Sequence, residues 1–325
     1  MEINIAYWAN ENYSEYAYIS VLSAIKNIDK SDTINCFLIT TLDNKRIEIF
    51  KNLKNIYSNF QFNPIIINDN KIKNIQMSKE HHITYHCFYR FYINKIKWIK
   101  KIIYLDCDTL VIWNIKNLFN KDISKYTVWV VSDVPHIEVK KRIKTLNLNK
   151  RYFNSWVMLI NLDKRKENKI SEQWLKLIKE NTYQCWDQDA LNIILENQCK
   201  YLEWIYNVQT EFLELNENNF HNIGFDKDYY DIAVKDPKIL HFTLAWKPRD
   251  LLNNHPRRWD YDKMRRFSIY IRLIHFLNPQ ITIKDFIIIT LHTFENILFP
   301  KYDNKKLVRN NVNKVIHIIN NKIHN

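Results

Sequence analysis

Two aspartates one residue apart close an apolar run in Ile102-Ile103-Tyr104-Leu105-Asp106-Cys107-Asp108-Thr109. In an extended chain, residues i and i+2 project to the same side, so Asp106 and Asp108 at the end of a buried strand are placed to hold one hard divalent cation. Carboxylates suit Mg²⁺ or Mn²⁺, with substrate phosphates completing an octahedral shell. The same pair could also serve only to cap a turn, so the elements and residues around it decide its meaning.

Placing such a pair at a strand end requires a sheet whose strands are buried on both faces. The first two-thirds of the chain alternate short apolar runs with amphipathic segments, the pattern of an α/β fold with a mostly parallel, Rossmann-like sheet flanked by helices. Strands are expected over 3–8, 33–40, 62–67, 101–105, 128–132, 155–161 and 238–242. Helices are expected over 16–27, 43–58, 85–97, 171–181 and 189–196. In the first of these, Ile19, Leu22 and Ile25 make an apolar face, with Ser20 and Lys26 turned away from it.

Composition narrows the chemistry. The 325 residues include a single glycine, Gly224, so the Gly-rich phosphate loops of Walker and dinucleotide-binding type are excluded. Asparagine is the next residue to tolerate left-handed backbone, and turns at Asn68-Asp69-Asn70 and Asn253-Asn254 are expected to rely on it. The cysteines Cys36, Cys87, Cys107, Cys185 and Cys199 are odd in number and form no C-x-x-C pair, which suggests neither a disulfide framework nor a zinc site. The segment Met1-Glu2-Ile3-Asn4-Ile5-Ala6 reads as a strand rather than a signal peptide, and no stretch approaches 18 consecutive apolar residues. A cytoplasmic location is expected.

The chain carries 48 Lys+Arg against 35 Asp+Glu, a formal charge of +13. Of these, 15 basic and 6 acidic residues fall in 245–325, so most of the surplus belongs to the C-terminal part. Amphipathic helices are expected there over 264–277, 282–298 and 305–323, with Thr282 and Asp285 placed as a capping box. Two partners fit a basic tail of this kind: an anionic membrane surface, or the catalytic body itself with a solvated basic rim. Nucleic acid is not favoured, because no recognised binding motif accompanies the charge.

Further segments join the aspartate pair in a fixed order: Asn4-Ile5-Ala6-Tyr7-Trp8-Ala9-Asn10-Glu11-Asn12-Tyr13, His82-Ile83-Thr84 running to Tyr89-Arg90-Phe91, Arg151-Tyr152-Phe153-Asn154-Ser155-Trp156, Trp186-Asp187-Gln188-Asp189, and Ile239-Leu240-His241-Phe242-Thr243-Leu244-Ala245-Trp246-Lys247-Pro248. Together they resemble the family-8 retaining glycosyltransferases, in particular bacterial enzymes that extend lipopolysaccharide or lipooligosaccharide. The similarity covers about residues 3–262. It implies a GT-A nucleotide-sugar-binding catalytic domain over 1–262; the extension over 263–325 is similar only in being basic and helical, and its charge is what makes a peripheral place on the inner face of the cytoplasmic membrane one of its two expected roles. The similarity also implies UDP-glucose or UDP-galactose as donor, Mn²⁺ (or Mg²⁺) as cofactor and a lipid-linked glycan as acceptor.

Carried onto this sequence, the resemblance makes Asp106, Asp108 and His241 the metal ligands and Lys247 a diphosphate contact. Trp8, Ala9, Asn10 and Asn12 would receive uracil and ribose. Arg90, Asn154, Ser155, Asp187 and Gln188 would line the donor sugar, with Asp187 and Gln188 nearest the reacting carbon, and Asp133 would shape the acceptor site. These roles are chemically coherent. A departing UDP gains negative charge that a cation and a lysine stabilise, while the sugar becomes positive and is stabilised by the Asp187 carboxylate or the Gln188 amide oxygen. Simpler roles also exist: Asp187 as a helix N-cap, and Arg90 as a structural ion pair for one of the acids.

The family pattern places glycine where Trp156 and Leu244 stand here. Glycine at such positions marks close backbone approach or positive φ, so strain at these residues and a narrowed sugar pocket beside Trp156 are expected. A GT-A scaffold that has lost turnover and survives as a binding protein is the alternative these two replacements raise.

Overall fold

Near-continuous apolar runs give strands buried on both faces, as a helix-flanked parallel sheet requires. The computed structural model describes residues 1–67, 85–215, 227–243, 247–248, 255–266 and 268. The chain separates into two compact units, Met1–Leu244 and Ala245–Asn325. Among the described residues of the first unit the strands are β1 (Glu2–Ala9), β2 (Thr33–Thr40), β3 (Phe60–Ile66), β4 (Lys101–Leu105), β5 (Thr109–Val111), β6 (Val128–Ser132), β7 (Phe153–Asn161), β8 (Cys199–Tyr201), β9 (Val208–Gln209) and β10 (Ile239–His241).

Seven of them form one sheet in the order β3-β2-β1-β4-β7-β6-β8, and β5-β10-β9 form a second, three-stranded sheet. In the large sheet β7 is antiparallel to both its neighbours, β4 and β6, while the remaining pairings are parallel. The start of β7 therefore lies beside the end of β4. Pro64, which has no N–H to donate, sits on the edge strand β3, where a missing ladder bond is tolerated. Across β1, β2 and β3 a seam of amides is satisfied internally: Asn63 Nδ2 donates to Asn35 Oδ1 at 2.5 Å, Asn35 Nδ2 to Asn4 Oδ1 at 2.9 Å, and Asn4 Nδ2 to the Lys101 carbonyl at 3.1 Å.

The helix Ser14–Lys26 follows β1 and is buried from Ser14 through Ile25. This corrects the expectation that Ser20 faces away. Ser20 is fully buried and its Oγ lies 3.1 Å from Tyr7 Oη and 3.0 Å from Thr109 Oγ1. Ser23 Oγ accepts from the Val111 N–H at 2.9 Å, and Asn27 Nδ2 donates to the Val111 carbonyl at 3.0 Å. The small hydroxyl residues thus stitch this helix to β5, the strand that follows the aspartate pair. A purely apolar face would leave β5 without partners on that side.

Other differences are local. The helix expected over 43–58 is two, Asn44–Lys51 and Leu53–Ile56, the first capped by Asp43, whose Oδ1 accepts from the Arg46 N–H at 2.8 Å. Residues Tyr85–Lys95 form a 3₁₀ helix rather than an α-helix. The helix expected from residue 189 begins earlier and spans Trp186–Leu195. In the second unit the helix Arg258–Arg266 starts ahead of the expected 264, with Arg257 Nε 2.6 Å from Asp260 Oδ2. Most of the helix expected over 264–277, those over 282–298 and 305–323, the turns at 68–70 and 253–254, and Leu244 lie outside the described residues. Among the described residues no helix is long and apolar enough to cross a membrane.

Positive φ in non-glycine residues is confined, among the described residues, to Asn147 (53°) and Lys169 (49°). Asn147 matches the expectation that asparagine takes over where glycine is scarce. Trp156 is not among them and lies within β7, so the strain expected there is not present.

Candidate active site

Asp106 and Asp108 follow the last residue of β4 and lead into β5. The turn is fixed by its own backbone: Asp106 N–H donates to the Trp156 carbonyl at 2.9 Å, and the Asp106 carbonyl accepts from Thr109 Oγ1 at 2.7 Å. Phe242 N–H donates to the Asp108 carbonyl at 3.0 Å, tying this turn to the end of β10, where His241 stands. As a result Asp106, Asp108 and His241, far apart in sequence, each present one ligand atom, and these atoms lie within 4.8 Å of one another. All three residues are buried, and His241 Nε2 is 3.3 Å from Asp108 Oδ1. Two carboxylates and one imidazole in this arrangement fit a divalent cation.

A second cluster lies at the start of β7. The Arg90 guanidinium, 2% exposed, sits 2.8 Å from Asp187 Oδ2 and donates through Nη1 to the Ser155 carbonyl at 2.9 Å and Ser155 Oγ at 2.8 Å. Its charge also lies 5.2 Å from the centre of the Tyr104 ring, on β4. Gln188 Oε1 accepts from the Ser155 N–H at 3.0 Å, while Gln188 Nε2 donates to Asp133 Oδ2 at 3.0 Å. Five of the expected residues, Arg90, Asp133, Ser155, Asp187 and Gln188, are therefore joined in one network. Asp187 is in the first turn of the Trp186–Leu195 helix, and Cys185 is the N-cap. The local cap is supplied instead by Asp189, whose Oδ2 accepts from the Cys185 N–H at 2.8 Å.

Burial pushes the Asp187 carboxyl above the ordinary carboxylate range, with Arg90 pulling the other way. Asp133 is raised as well, by burial and then by the nearby Glu211. Glu211 in turn accepts from Thr243 Oγ1, two residues beyond His241.

At the ends of β1 and β2 a cleft of about 360 Å³ is lined by Asn10, Glu11, Asn12, Thr41, Leu42, Asp43 and Arg46. Asn10 Oδ1 caps the following turn by accepting from the Tyr13 N–H at 3.2 Å. Arg46 spans the cleft wall, paired with Glu11 and, at 2.7 Å, with Asp43. Asn10 and Asn12 thus border open space. Trp8 and Ala9 are buried, and the Trp8 ring packs 5.3 Å from Tyr13 and 5.8 Å from Tyr89. Lys247 is half-buried and belongs to the second unit.

Trp156 stands at an irregularity. The β6–β7 register shifts between Val130, opposite Met158, and Val131, opposite Asn154. The intervening stretch of β7 bulges, which re-aims side chains at a sheet rim. The Trp156 ring comes to lie 5.5 Å from the His241 ring. Asn207 is a site residue the sequence reading passed over. Its Oδ1 is 2.9 Å from His241 Nδ1, and nothing in a chain so rich in asparagine marks it out beforehand.

The model of the family described as Glycosyl transferase family 8 matches residues 4–249. General stress protein A of Bacillus subtilis (strain 168) is 29% identical, over 80% of this chain and 91% of its own length. Lipopolysaccharide 1,2-glucosyltransferase of Escherichia coli (strain K12) is 24% identical, over 76% of this chain and 72% of its own. Among solved structures, the galactosyltransferase LgtC in complex with donor and acceptor sugar analogs matches with a TM-score of 0.68 at 19% identity, covering 82% of this chain and 96% of that one. The apo structure of the bifunctional glycosyltransferase WbbM matches with a TM-score of 0.70 at 17% identity, and there the match spans about half, 51%, of the longer chain. With the family model spanning both clusters and the cleft at the ends of β1 and β2, the chain belongs to glycosyl transferase family 8, on a GT-A fold.

Proposed function

We propose that this glycosyltransferase moves glucose or galactose from a UDP-sugar, with retention of configuration, to a lipooligosaccharide, lipopolysaccharide or related lipid-linked glycan. The observation that carries the reading is the convergence of Asp106, Asp108 and His241 at the end of β4. A relative named as a lipopolysaccharide glucosyltransferase supports the acceptor class.

In this reading Asp106, Asp108 and His241 hold Mn²⁺ or Mg²⁺, and a cation bound there supplies electrostatic stabilisation to the departing diphosphate. The rest is work for the chain itself. Asn10 and Asn12 take the nucleoside in the cleft beside them, and Lys247 offers a second positive charge to the diphosphate. Asp187 faces the sugar as positive charge develops there, held in place by Arg90. Gln188 is oriented from both ends, by Ser155 and by Asp133, so its amide is preorganised before substrate arrives. Asp133 borders the acceptor. The basic residues of 263–325 bring the enzyme to anionic lipid, where a lipid-linked acceptor resides.

The test is Mn²⁺-dependent release of UDP from UDP-glucose and UDP-galactose by the full chain, with acceptor presented in anionic or in neutral vesicles. Replacing Asp106→Ala and Asp108→Ala together is expected to lower the rate by about 10²–10³-fold, several kcal/mol at the barrier. Turnover and vesicle binding are expected to favour the anionic lipid. A chain that binds no UDP sinks the reading, and equal binding to both vesicle types removes its membrane part.

A further inference from the structure

We infer that Asn207 is a positioning residue that holds His241 with its proton on Nδ1, keeping the Nε2 lone pair directed at Asp108. The inference deepens the metal-site reading above and rests on it for its consequence, though not for the tautomer itself.

One group in this network has a fixed role. The Trp156 backbone N–H can only donate, and at 3.2 Å it faces the side-chain amide of Asn154, which must therefore turn its oxygen that way. The same Asn154 oxygen accepts from Asn207 Nδ2 at 2.9 Å, so the other end of the Asn207 amide is its oxygen. That oxygen lies 2.9 Å from His241 Nδ1, and an amide oxygen can only accept. Nδ1 must carry the hydrogen. In the neutral ring Nε2, 3.3 Å from Asp108 Oδ1, is then left with the electron pair a metal ligand needs.

The surroundings leave the chain little freedom to slip. Asn207 and His241 are completely buried and Asn154 nearly so. Asn154 Nδ2 donates to Gln209 Oε1 at 3.4 Å, and Gln209 is the residue opposite His241 in the β9–β10 register. Asn207 is anchored by its own N–H to the Trp204 carbonyl at 3.0 Å, and the Trp156 ring packs against the imidazole at a tilt of 41°. A hydrogen-bonding partner on the far nitrogen of a ligating histidine fixes both the ring and its basicity.

Two measurements on the full chain test this. Long-range ¹H–¹⁵N spectra, recorded at alkaline pH on metal-free and Mg²⁺-loaded protein with His241 assigned against His241→Gln, are expected to show the proton on Nδ1. Mn²⁺ affinity by electron paramagnetic resonance is expected to fall about 10–100-fold in Asn207→Ala. It is expected to fall less in Asn207→Asp, whose carboxylate still accepts from Nδ1–H but no longer donates to Asn154 Oδ1. A proton on Nε2 in the metal-free wild type overturns the inference, as does an Asn207→Ala protein that binds Mn²⁺ as the wild type does. If Asn207→Ala does not fold, the wild-type spectrum decides. Wild-type protein that binds no Mn²⁺ overturns the metal-site reading, while the metal-free spectrum still judges the tautomer.

Discussion

The two clusters at this end of the sheet solve the problem of buried charge in different ways. Around Arg90 the protein brings its own counter-ion: guanidinium and Asp187 carboxylate are both almost fully buried and 2.8 Å apart. At Asp106, Asp108 and His241 the three converging atoms are all electron-pair donors, an arrangement that calls for a cation between them. The first cluster is complete in the folded chain and depends on folding alone. The second, read as the proposed cation site, would gain stability from what it binds.

The contrast breaks most sharply at Arg90. Arg90→Met strands the Asp187 carboxylate in a dry site, and removing one partner of a buried pair costs about 3–5 kcal/mol. Urea denaturation should show this loss whether or not Mn²⁺ is present. The double variant Arg90→Met/Asp187→Leu should recover much of it, because the cost lies in the unpaired charge rather than in the missing bond. A single variant as stable as wild type would mean that the pair is not buried as described.

The metal cluster should respond in the opposite sense, to ligand rather than to pairing. Mn²⁺ at 100 times its dissociation constant should raise unfolding stability by about 2.7 kcal/mol, and EDTA should remove the gain. Arg90→Met should keep that increment, whereas His241→Ala should lose most of it. Thermal unfolding with and without Mn²⁺ reads the difference. An increment that vanishes in Arg90→Met would show that the two clusters are one coupled unit and not two.

What could be read from the sequence follows the same division. Strands over 33–40, 101–105 and 128–132 match the structure residue for residue, because a strand buried on both faces is an uninterrupted apolar run. Asp106-Cys107-Asp108 was legible because its charges break such a run, and Asp187-Gln188 only through its place in the ordered set of segments that carries the family resemblance. The strands β5, β8 and β9, two or three residues long, carry too little pattern to register. Ser20 was misread because helical periodicity treats a hydroxyl as a solvent residue, while here it is a buried partner for Tyr7 and Thr109. Asp187 as a helix cap failed for a related reason: Asp189 supplies the side chain that meets the Cys185 N–H, and the helix starts at Trp186. Asn207 was invisible because its role exists only through contacts with Asn154 and His241, which are brought together by β7, β9 and β10.

The smallest effect, and the one that sharpens the comparison most, concerns Asp133. It touches the Arg90 cluster through Gln188 but has no cation of its own in that contact, and burial followed by Glu211 raises its carboxyl above the ordinary range. A raised native value means the folded state holds a proton that the unfolded state has released. Between the ordinary carboxylate range and the raised value, stability therefore falls as pH rises, and the gain is fully present only at or below the unfolded value. Asp133→Asn removes this group from the balance. Compared with wild type, the variant should lose less stability as pH is raised through that window, and denaturation midpoints measured across mildly acidic pH should converge at the acid end. Parallel curves would place Asp133 with the internally compensated groups; converging ones would mark it as the edge of that network, where burial without a paired cation keeps the carboxyl protonated.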